Sequence, residues 1–149
     1  MPQIHVTLTR YLTATYQDGG RGETGTDGRL LLDCWGLVRL ARAELYGRPL
    51  LASHGGQYQD DPAGFTRHYR AQAAEMAEVS EPVPGTVIAV LRHGICTHVA
   101  LVVHDVSASG LGLHVLEINP GRGCQIWPLY AFLQSMTKRA IRYYDDQQG

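Results

Sequence analysis

Cysteines are few in this sequence, and long apolar segments are absent. The 149 residues include three cysteines, an odd number without paired spacing, which argues against a framework of disulfide bonds. No stretch is long and apolar enough to span a bilayer. The N-terminal residues lack a basic start followed by a long apolar run, so no secretory signal is expected. These absences predict a protein made in the cytoplasm.

Neither sign of charge is in excess. Thirteen Lys and Arg side chains against fourteen Asp and Glu side chains give a formal net charge of −1. A global electrostatic case for binding nucleic acid or a membrane surface is therefore excluded. Internal repeats and low-complexity linkers are also lacking. At this length the chain is predicted to form one domain, residues 1–149, able to bury a sizeable core.

A helix with one apolar face is predicted to begin at Cys34. Asp33 is expected to be the N-cap of this helix and Gly47 its C-terminal stop. The apolar positions recur with the 3.6-residue period of a helix while charged residues face elsewhere. The face consists of Cys34, Leu37, Val38, Ala41 and Leu45.

The position of Cys34 has two interpretations. Unpaired backbone N–H groups and the helix dipole favour negative charge at a helix start, so a cysteine there ionises more readily to the nucleophilic thiolate. The preceding segment, residues 17–28, is rich in glycine and is predicted to be a loop that leaves the helix start open to a substrate. Alternatively, Cys34 is a small core residue, as lone cysteines on apolar helix faces usually are.

A histidine lies at the start of an apolar run further along the chain. His98 precedes Val99–Val103, and this run indicates a strand. A thiol and an imidazole on two different elements indicate nucleophilic catalysis. Zinc binding is the alternative, although the sequence has no CxxC pair and no HExxH motif, and no metal is expected. The candidate zinc ligands would be His98, Cys96, His93 and Cys34.

The order of the remaining elements, helices first and strands later, indicates an α+β fold with an antiparallel sheet. A second helix is predicted from Pro62, at the first helical position, to about Val79. Cys96 and Cys124 lie on or near predicted strands and are expected to be packing residues. The other predicted elements are a short helix near residues 6–15, strands near 86–92, 97–104, 111–118 and 123–127, a short helix over 128–134 and a last strand over 138–144.

One set of motifs resembles a known family. Asp33–Val38 reads Asp-Cys-Trp-Gly-Leu-Val; it is preceded by Gly19-Gly20-Arg21 and followed by Pro84-Gly85 and by Thr97–Ala100. Together these segments resemble the NlpC/p60 family of bacterial cell-wall cysteine peptidases, over about residues 10 to 143. The Trp after the cysteine is similar to the short, phage-encoded branch associated with tails. The resemblance implies a papain-like fold with N-terminal helices packed on a central antiparallel β-sheet.

The resemblance also implies catalytic roles. Cys34 would be the nucleophile, and His98 the general base and later the general acid. A third polar residue on the following strand would orient the imidazole. This position falls to His114, with Glu117 and Asn119 as the alternatives. The interval from His98 to His114 is longer than is usual for the family, which implies a longer hairpin connection through residues 104–110.

Residues near the nucleophile are assigned to the substrate side by the same resemblance. They are Tyr16, Asp33 and Trp35. The negative oxygen of a tetrahedral intermediate would be held by backbone N–H groups at the helix start, including that of Cys34. No cofactor is implied.

The implied activity is hydrolysis of peptidoglycan. Members of the family cleave the stem peptide, typically between the γ-carboxyl of D-glutamate and diaminopimelate or lysine. The phage branch implies a tail-tip or baseplate component that opens the wall, made in the bacterial cytoplasm and assembled with other tail proteins into a virion. No membrane or nucleic-acid partner is expected. A structural tail protein using the same fold for docking, or an amidase or acyltransferase of the same superfamily, are the alternatives.

Overall fold

Short strands and helices alternate in the first half of the chain, and strands dominate the second half. The computed structural model describes residues 8–54, 60–104 and 112–147. Helix α1 covers residues 8–12 of this described part. The other elements are β1 (Thr15–Tyr16), β2 (Arg21–Thr24), β3 (Leu30–Leu32), α2 (Cys34–Tyr46), α3 (Pro62–Ala73), β4 (Met76–Val79), β5 (Val87–Arg92), β6 (Ile95–His104), β7 (Leu113–Asn119), β8 (Gly123–Pro128), α4 (Leu129–Ser135) and β9 (Ala140–Asp146).

The strands form two sheets. The larger has six strands in the order β4-β9-β5-β6-β7-β8, and every neighbouring pair is antiparallel. The smaller has the order β1-β3-β2, in which β1 pairs with β3 in parallel. A mixed α+β architecture with an antiparallel central sheet is therefore confirmed.

The central sheet carries an apolar layer on each face. Side chains alternate between the faces along a strand, so that Val99 and Leu101 of β6 join the larger cluster, which also contains the apolar faces of α2 and α3. Ala100 and Val102 point the other way and pack with Phe132 of α4. The larger cluster packs α2 against β6 and thereby sets the position of Cys34.

Helix α2 follows the sequence prediction closely. Asp33 is its N-cap and accepts a hydrogen bond from the backbone N–H of Gly36. Gly47 ends the helix with φ +64°, the left-handed conformation that glycine adopts without a steric penalty, and its N–H bonds to the carbonyl of Ala43. None of the described helices has the length and apolar character needed to cross a membrane. The fully buried apolar residues of α2 are Leu37, Val38 and Ala41.

A buried arginine fastens α2 to the end of β9. Arg42 is fully buried, and its Nη2 lies 3.0 Å from a carboxylate oxygen of Asp145 and 2.9 Å from one of Asp146. Its Nε donates to the carbonyl of Gly85 at 2.7 Å. Arg48, just after the helix, also reaches Asp145 at 3.1 Å. The helix that carries Cys34 is therefore tied at its far end to the central sheet.

Two segments differ from the prediction. Helix α3 has the predicted Pro62 start, with Asp61 as its cap, but ends at Ala73 rather than near residue 79. Residues 76–79 instead form β4, which pairs with β9 along its whole length. An apolar stripe can satisfy a helix or an edge strand, and here the backbone hydrogen bonds to β9 decide the outcome.

Part of the glycine-rich segment, residues 17–28, is also a strand rather than the loop that composition predicts. It contains β2, in which Arg21, Glu23 and Thr24 pair with β3, and the register shifts between Arg21 and Glu23. These strands are too short to show a periodic pattern in the sequence. The consequence is a small sheet held against the start of α2.

Candidate active site

The start of α2 is held in place by a buried carboxylate. Asp33 is 3% exposed. One of its oxygens accepts from the N–H of Gly36 at 2.8 Å and from Nη1 of Arg21 at 2.7 Å, and the other accepts from the N–H of Gly19 at 2.9 Å. The predicted substrate residue Asp33 borders the cavity described below, but its carboxylate is engaged in joining the glycine-rich segment to the helix. Cys34 is the next residue, so the hydrogen bonds of Asp33 also hold the backbone that carries Cys34.

A glycine pair allows the close approach at this end of the helix. A Cβ atom added at Gly36 would overlap the carbonyl oxygen of Gly20, so a larger residue at position 36 would push the segment away. The N–H of Asp33 bonds to the same carbonyl at 3.3 Å. The backbone at Gly20, just before β2, is thereby packed directly on the first turn of α2.

A bulge in β6 sets the direction of His98. Val90 of β5 pairs with His98, whereas the next residue, Leu91, pairs with Cys96, so Thr97 is an extra residue in β6. Bulges of this kind turn the neighbouring side chains out of the regular alternation of a strand. The histidine lies next to this irregularity, at the end of β6 that borders the cavity.

The imidazole of His98 pairs with Glu117. Its Nε2 lies 2.8 Å from Oε1 of Glu117, and Nδ2 of Asn119 donates to the same oxygen at 3.1 Å. Extending the β6–β7 register, in which Leu101 faces Leu116, places Ala100 opposite Glu117. His98 and Glu117 are therefore diagonal neighbours on one face of the sheet, within reach of long side chains.

The expectation of His114 as the partner of His98 is corrected by this register. His114 lies opposite Val103, which is five residues further along β6 than His98, or about 16 Å at the rise of an extended strand. The interval between the two histidines is taken up by strand length in β6 and by residues 105–111, which lie outside the described residues. Asn119 contacts Glu117 rather than the imidazole.

Cys34 and His98 line the same cavity. It has a volume of about 270 Å³ and is also bordered by Tyr16 of β1, Phe65 of α3 and Asn119 at the end of β7. The predicted substrate residue Tyr16 is thus brought together with the nucleophile candidate. The N-terminal segment, α3 and the central sheet each contribute one side of the cavity.

Trp35 does not border this cavity. Its ring is 3% exposed, its Nε1 donates to the carbonyl of Ala52 at 2.8 Å, and it packs edge-on against Phe65 with ring centroids 6.0 Å apart. Successive residues of a helix point about 100° apart, so the side chain after Cys34 turns away into the core. The structure therefore places Trp35 behind the cavity, where it supports Phe65.

The ionisable groups of the site shift each other's pKa values. Burial lowers the pKa of His98, but hydrogen bonds with Cys34 and Glu117, and the negative charges of both, outweigh it and raise the pKa to about 9. Burial raises the pKa of Glu117, yet the hydrogen bond and charge of His98, followed by the hydrogen bond from Asn119 and the nearby indole N–H of Trp127, lower it overall. Both shifts favour an imidazolium beside a carboxylate at neutral pH.

The hydroxyl of Tyr16 remains a proton donor. Burial, followed by the negative charges of Cys34, Asp18 and Asp33, raises its pKa well above the ordinary value of 10.0. A neutral phenol at this position can donate a hydrogen bond to a negative oxygen that forms in the cavity.

The other cysteines are free thiols in apolar surroundings. Cys96 is 1% exposed and borders the cavity, and burial raises its pKa to about 12. Burial likewise raises the pKa of Cys124 to about 12. In the described part of the chain, no group of three or more His, Cys, Asp or Glu residues is arranged to hold a metal ion. The zinc alternative therefore has no ligand set among these residues.

Two contributors to the site carry little signal in the sequence. Arg21 donates a hydrogen bond to Asp33. It is part of the Gly19-Gly20-Arg21 motif, but nothing in the sequence indicates that Asp33 is its partner. The bulge at Thr97 lies two pairs beyond the turn at His93 and Gly94, whose φ values of +53° and +77° are typical of a tight hairpin. An inspection of this turn chemistry would have indicated the β5–β6 hairpin, though not the shifted register.

The arrangement is suited to nucleophilic acyl chemistry. A thiol at a helix start, an imidazole on the same cavity and a carboxylate behind the imidazole are the groups that this chemistry requires. No family model, curated protein or solved structure matches the chain.

Proposed function

We propose that this protein is a cysteine endopeptidase of the NlpC/p60 type, with a papain-like fold, that cleaves the stem peptide of peptidoglycan. The observation that carries the proposal is that Cys34 and His98 line one cavity while Glu117 bonds to the imidazole from behind. The motif resemblance adds the substrate, a bond of the γ-D-glutamyl-diaminopimelate type.

In the proposed reaction the thiolate of Cys34 attacks the amide carbon of the substrate and forms a tetrahedral intermediate. His98, protonated at neutral pH, gives its proton to the leaving amine as the carbon–nitrogen bond breaks. Water then attacks the thioester, His98 accepts a proton from that water, and the carboxylic acid product leaves with Cys34 restored. Glu117 keeps the imidazole oriented and stabilises its positive charge.

Two donors are available for the negative oxygen of the intermediate. The side chain of Asp33 occupies the N–H of Gly36, whereas the N–H of Cys34, at the first helical position, has no acceptor within the helix. Tyr16 supplies a hydroxyl on the same cavity. We assign the backbone N–H of Cys34 and the hydroxyl of Tyr16 to this role.

The proposed setting is a phage tail tip or baseplate, in which the peptidase opens the cell wall locally. The Trp at position 35, similar to the phage-encoded branch, supports this assignment. Detection of the chain in purified virions by mass spectrometry is the expected result. Its absence from such particles would contradict the setting without affecting the peptidase.

A docking role for the same fold is the second candidate. It is favoured by Tyr130, 69% exposed, and Leu133, 37% exposed, which lie one turn apart on α4. These two side chains lie on α4, which packs on the face of the central sheet opposite α2. A docking protein would not require a reactive Cys34.

Mass spectrometry of muropeptides tests the peptidase directly. Wild type is incubated with peptidoglycan fragments beside Cys34→Ala and a matched control, Cys124→Ala, which removes another partly buried free thiol. New products cut within the stem peptide are expected from wild type and from the control, and none from Cys34→Ala. Products from all three proteins would contradict the role of Cys34.

Alkylation separates the remaining possibilities when no product forms. A Cys34 that reacts with iodoacetamide at neutral pH, without cleavage, would favour an amidase or acyltransferase with another acyl substrate. An unreactive Cys34 without cleavage would overturn the proposal in favour of docking.

A further inference from the structure

The carboxylate of Glu117 has neighbours on both adjacent strands. Glu117 lies opposite Gln125 of β8, and Val115 lies opposite Trp127. Trp127 is therefore a diagonal neighbour of Glu117 on the same face of the sheet. His98 is the diagonal neighbour on β6, towards the other end of β7. The carboxylate is thus bordered by an imidazole on one side and by an indole on the other.

The polar atom of this indole lacks a conventional partner. Nε1 of Trp127 is buried, and within the described ranges it has no hydrogen bond of standard geometry. A buried N–H without an acceptor is costly, so its position on a strand diagonal to a charged acceptor calls for an explanation. Both hydrogen bonds that Glu117 accepts from His98 and Asn119 end on Oε1.

We propose that Trp127 is a positioning residue whose indole N–H, together with Asn119, holds the carboxylate of Glu117 in place behind His98. The position of Trp127 beside Glu117 follows from the strand register and its buried N–H, while the catalytic consequence rests on the proposed peptidase function. The effect of Trp127 in lowering the pKa of Glu117 agrees with this orientation of the N–H. Trp127 is not among the residues that line the cavity, so it acts through Glu117.

The two tryptophans of the chain provide an internal control. Their indole N–H groups give separate signals in a proton–nitrogen correlation spectrum, and that of Trp35 is bonded to the carbonyl of Ala52. At neutral pH, replacing the charge in Glu117→Gln is expected to move the Trp127 proton signal upfield and to leave the Trp35 signal in place. An unmoved Trp127 signal would overturn the proposal. This experiment needs no enzymatic activity, so its outcome is separate from that of the peptidase test.

A second experiment reads the carboxylate itself. Trp127→Phe keeps an aromatic ring and removes the donor, and the pKa of Glu117, followed by carbon-13 signals of its carboxyl group, is expected to rise by about one pH unit. Tyr143→Phe is the matched control, because it removes a hydroxyl from the same apolar layer on β9, which is separated from β7 by the two strands β5 and β6. An unchanged Glu117 titration in Trp127→Phe, or an equal shift in the control, would refute the role.

The effect on catalysis follows from the same shift. Activity that depends on the Glu117 carboxylate falls as the pH decreases through the pKa of Glu117. In Trp127→Phe the acid limb of the pH profile should therefore move to higher pH by about one unit. A uniform loss of activity at every pH, with the limb unmoved, would indicate a purely structural role and contradict the proposal.

Discussion

Replacing Glu117 by glutamine should lower the pKa of His98. Glutamine keeps the size and the hydrogen-bonding oxygen of the side chain but removes its charge. The structure gives His98 a pKa of about 9 against an ordinary value of 6.5, with Cys34 and Glu117 both raising it against the effect of burial. This shift corresponds to about 3 kcal/mol in favour of the charged imidazole.

The contribution of Glu117 to the raised pKa of His98 can be bounded from the type of contact between them. A hydrogen bond to a charged group contributes roughly 1.5 to 3 kcal/mol, which corresponds to about one to two pH units. His98 in Glu117→Gln is therefore expected to titrate between about pH 7 and 8. The measurement is a pH titration of the ring signals of carbon-13-labelled histidine, with His98→Asn to assign the signal among seven histidines.

The same change has a defined effect on stability. Because the pKa of His98 is raised on folding, its contribution to the free energy of unfolding is fully present below pH 6.5 and is lost as the pH rises through about 9. Glu117→Gln should therefore have a lower free energy of unfolding than wild type below pH 6.5, and the difference should become smaller as the pH rises through about 9. Urea unfolding at several pH values measures this difference. His114→Asn is the control and should leave the His98 titration in place. If Glu117→Gln does not change that titration, or His114→Asn changes it equally, the assignment of Glu117 is refuted.

Two further substitutions test the structural roles of α2. Arg42→Met should lower the free energy of unfolding by about 1.5 to 3 kcal/mol, because it removes a fully buried cation that bonds to the carbonyl of Gly85 and to the carboxylates of Asp145 and Asp146. The loss is limited because the two carboxylates are 14% and 32% exposed and keep Arg48 as a partner. Arg10→Met, which breaks an ion pair with Glu44 between side chains 50% and 38% exposed, should cost less than about 1 kcal/mol. Equal losses in urea unfolding would contradict the role of the buried network. Trp35→Phe should lower stability by about 1 to 2 kcal/mol through the lost N–H donor, with kcat/KM for stem peptides unchanged. A fall in kcat/KM would instead show that Trp35 contacts the substrate.

The sequence predicted α2 well because the signals for it are local. The apolar period, the Asp33 cap and the Gly47 stop all lie within one helix length of each other, and each is confirmed. The strand positions in the second half were also close; residues 87–91 of β5 and residues 99–103 of β6 are continuous apolar runs, which indicate buried strands. The end of α3 was wrong because β4 exists only through its pairing with β9, more than sixty residues away.

The third member of the candidate site illustrates the same limit. Glu117, Asn119 and His114 all occupy one strand, and only the pairing register decides which of them reaches His98. The register depends on the bulge at Thr97 and on the length of the β6–β7 connection, neither of which has a clear sequence signature. Resemblance favoured a histidine, whereas the geometry brings a carboxylate to the imidazole.

Because Arg42 pairs with the end of β9, the helix that carries Cys34 can be fastened there only after β9 has been synthesised. Arg42 meets Asp145 and Asp146 across 103 and 104 residues of chain. A nascent chain that has already exposed Cys34, His98 and Glu117 still lacks the carboxylates that fasten α2. Consolidation of the nucleophile's helix therefore waits for the last strand to emerge from the ribosome, and a break in the chain just before Asp145 would remove that fastening while leaving every reacting group present.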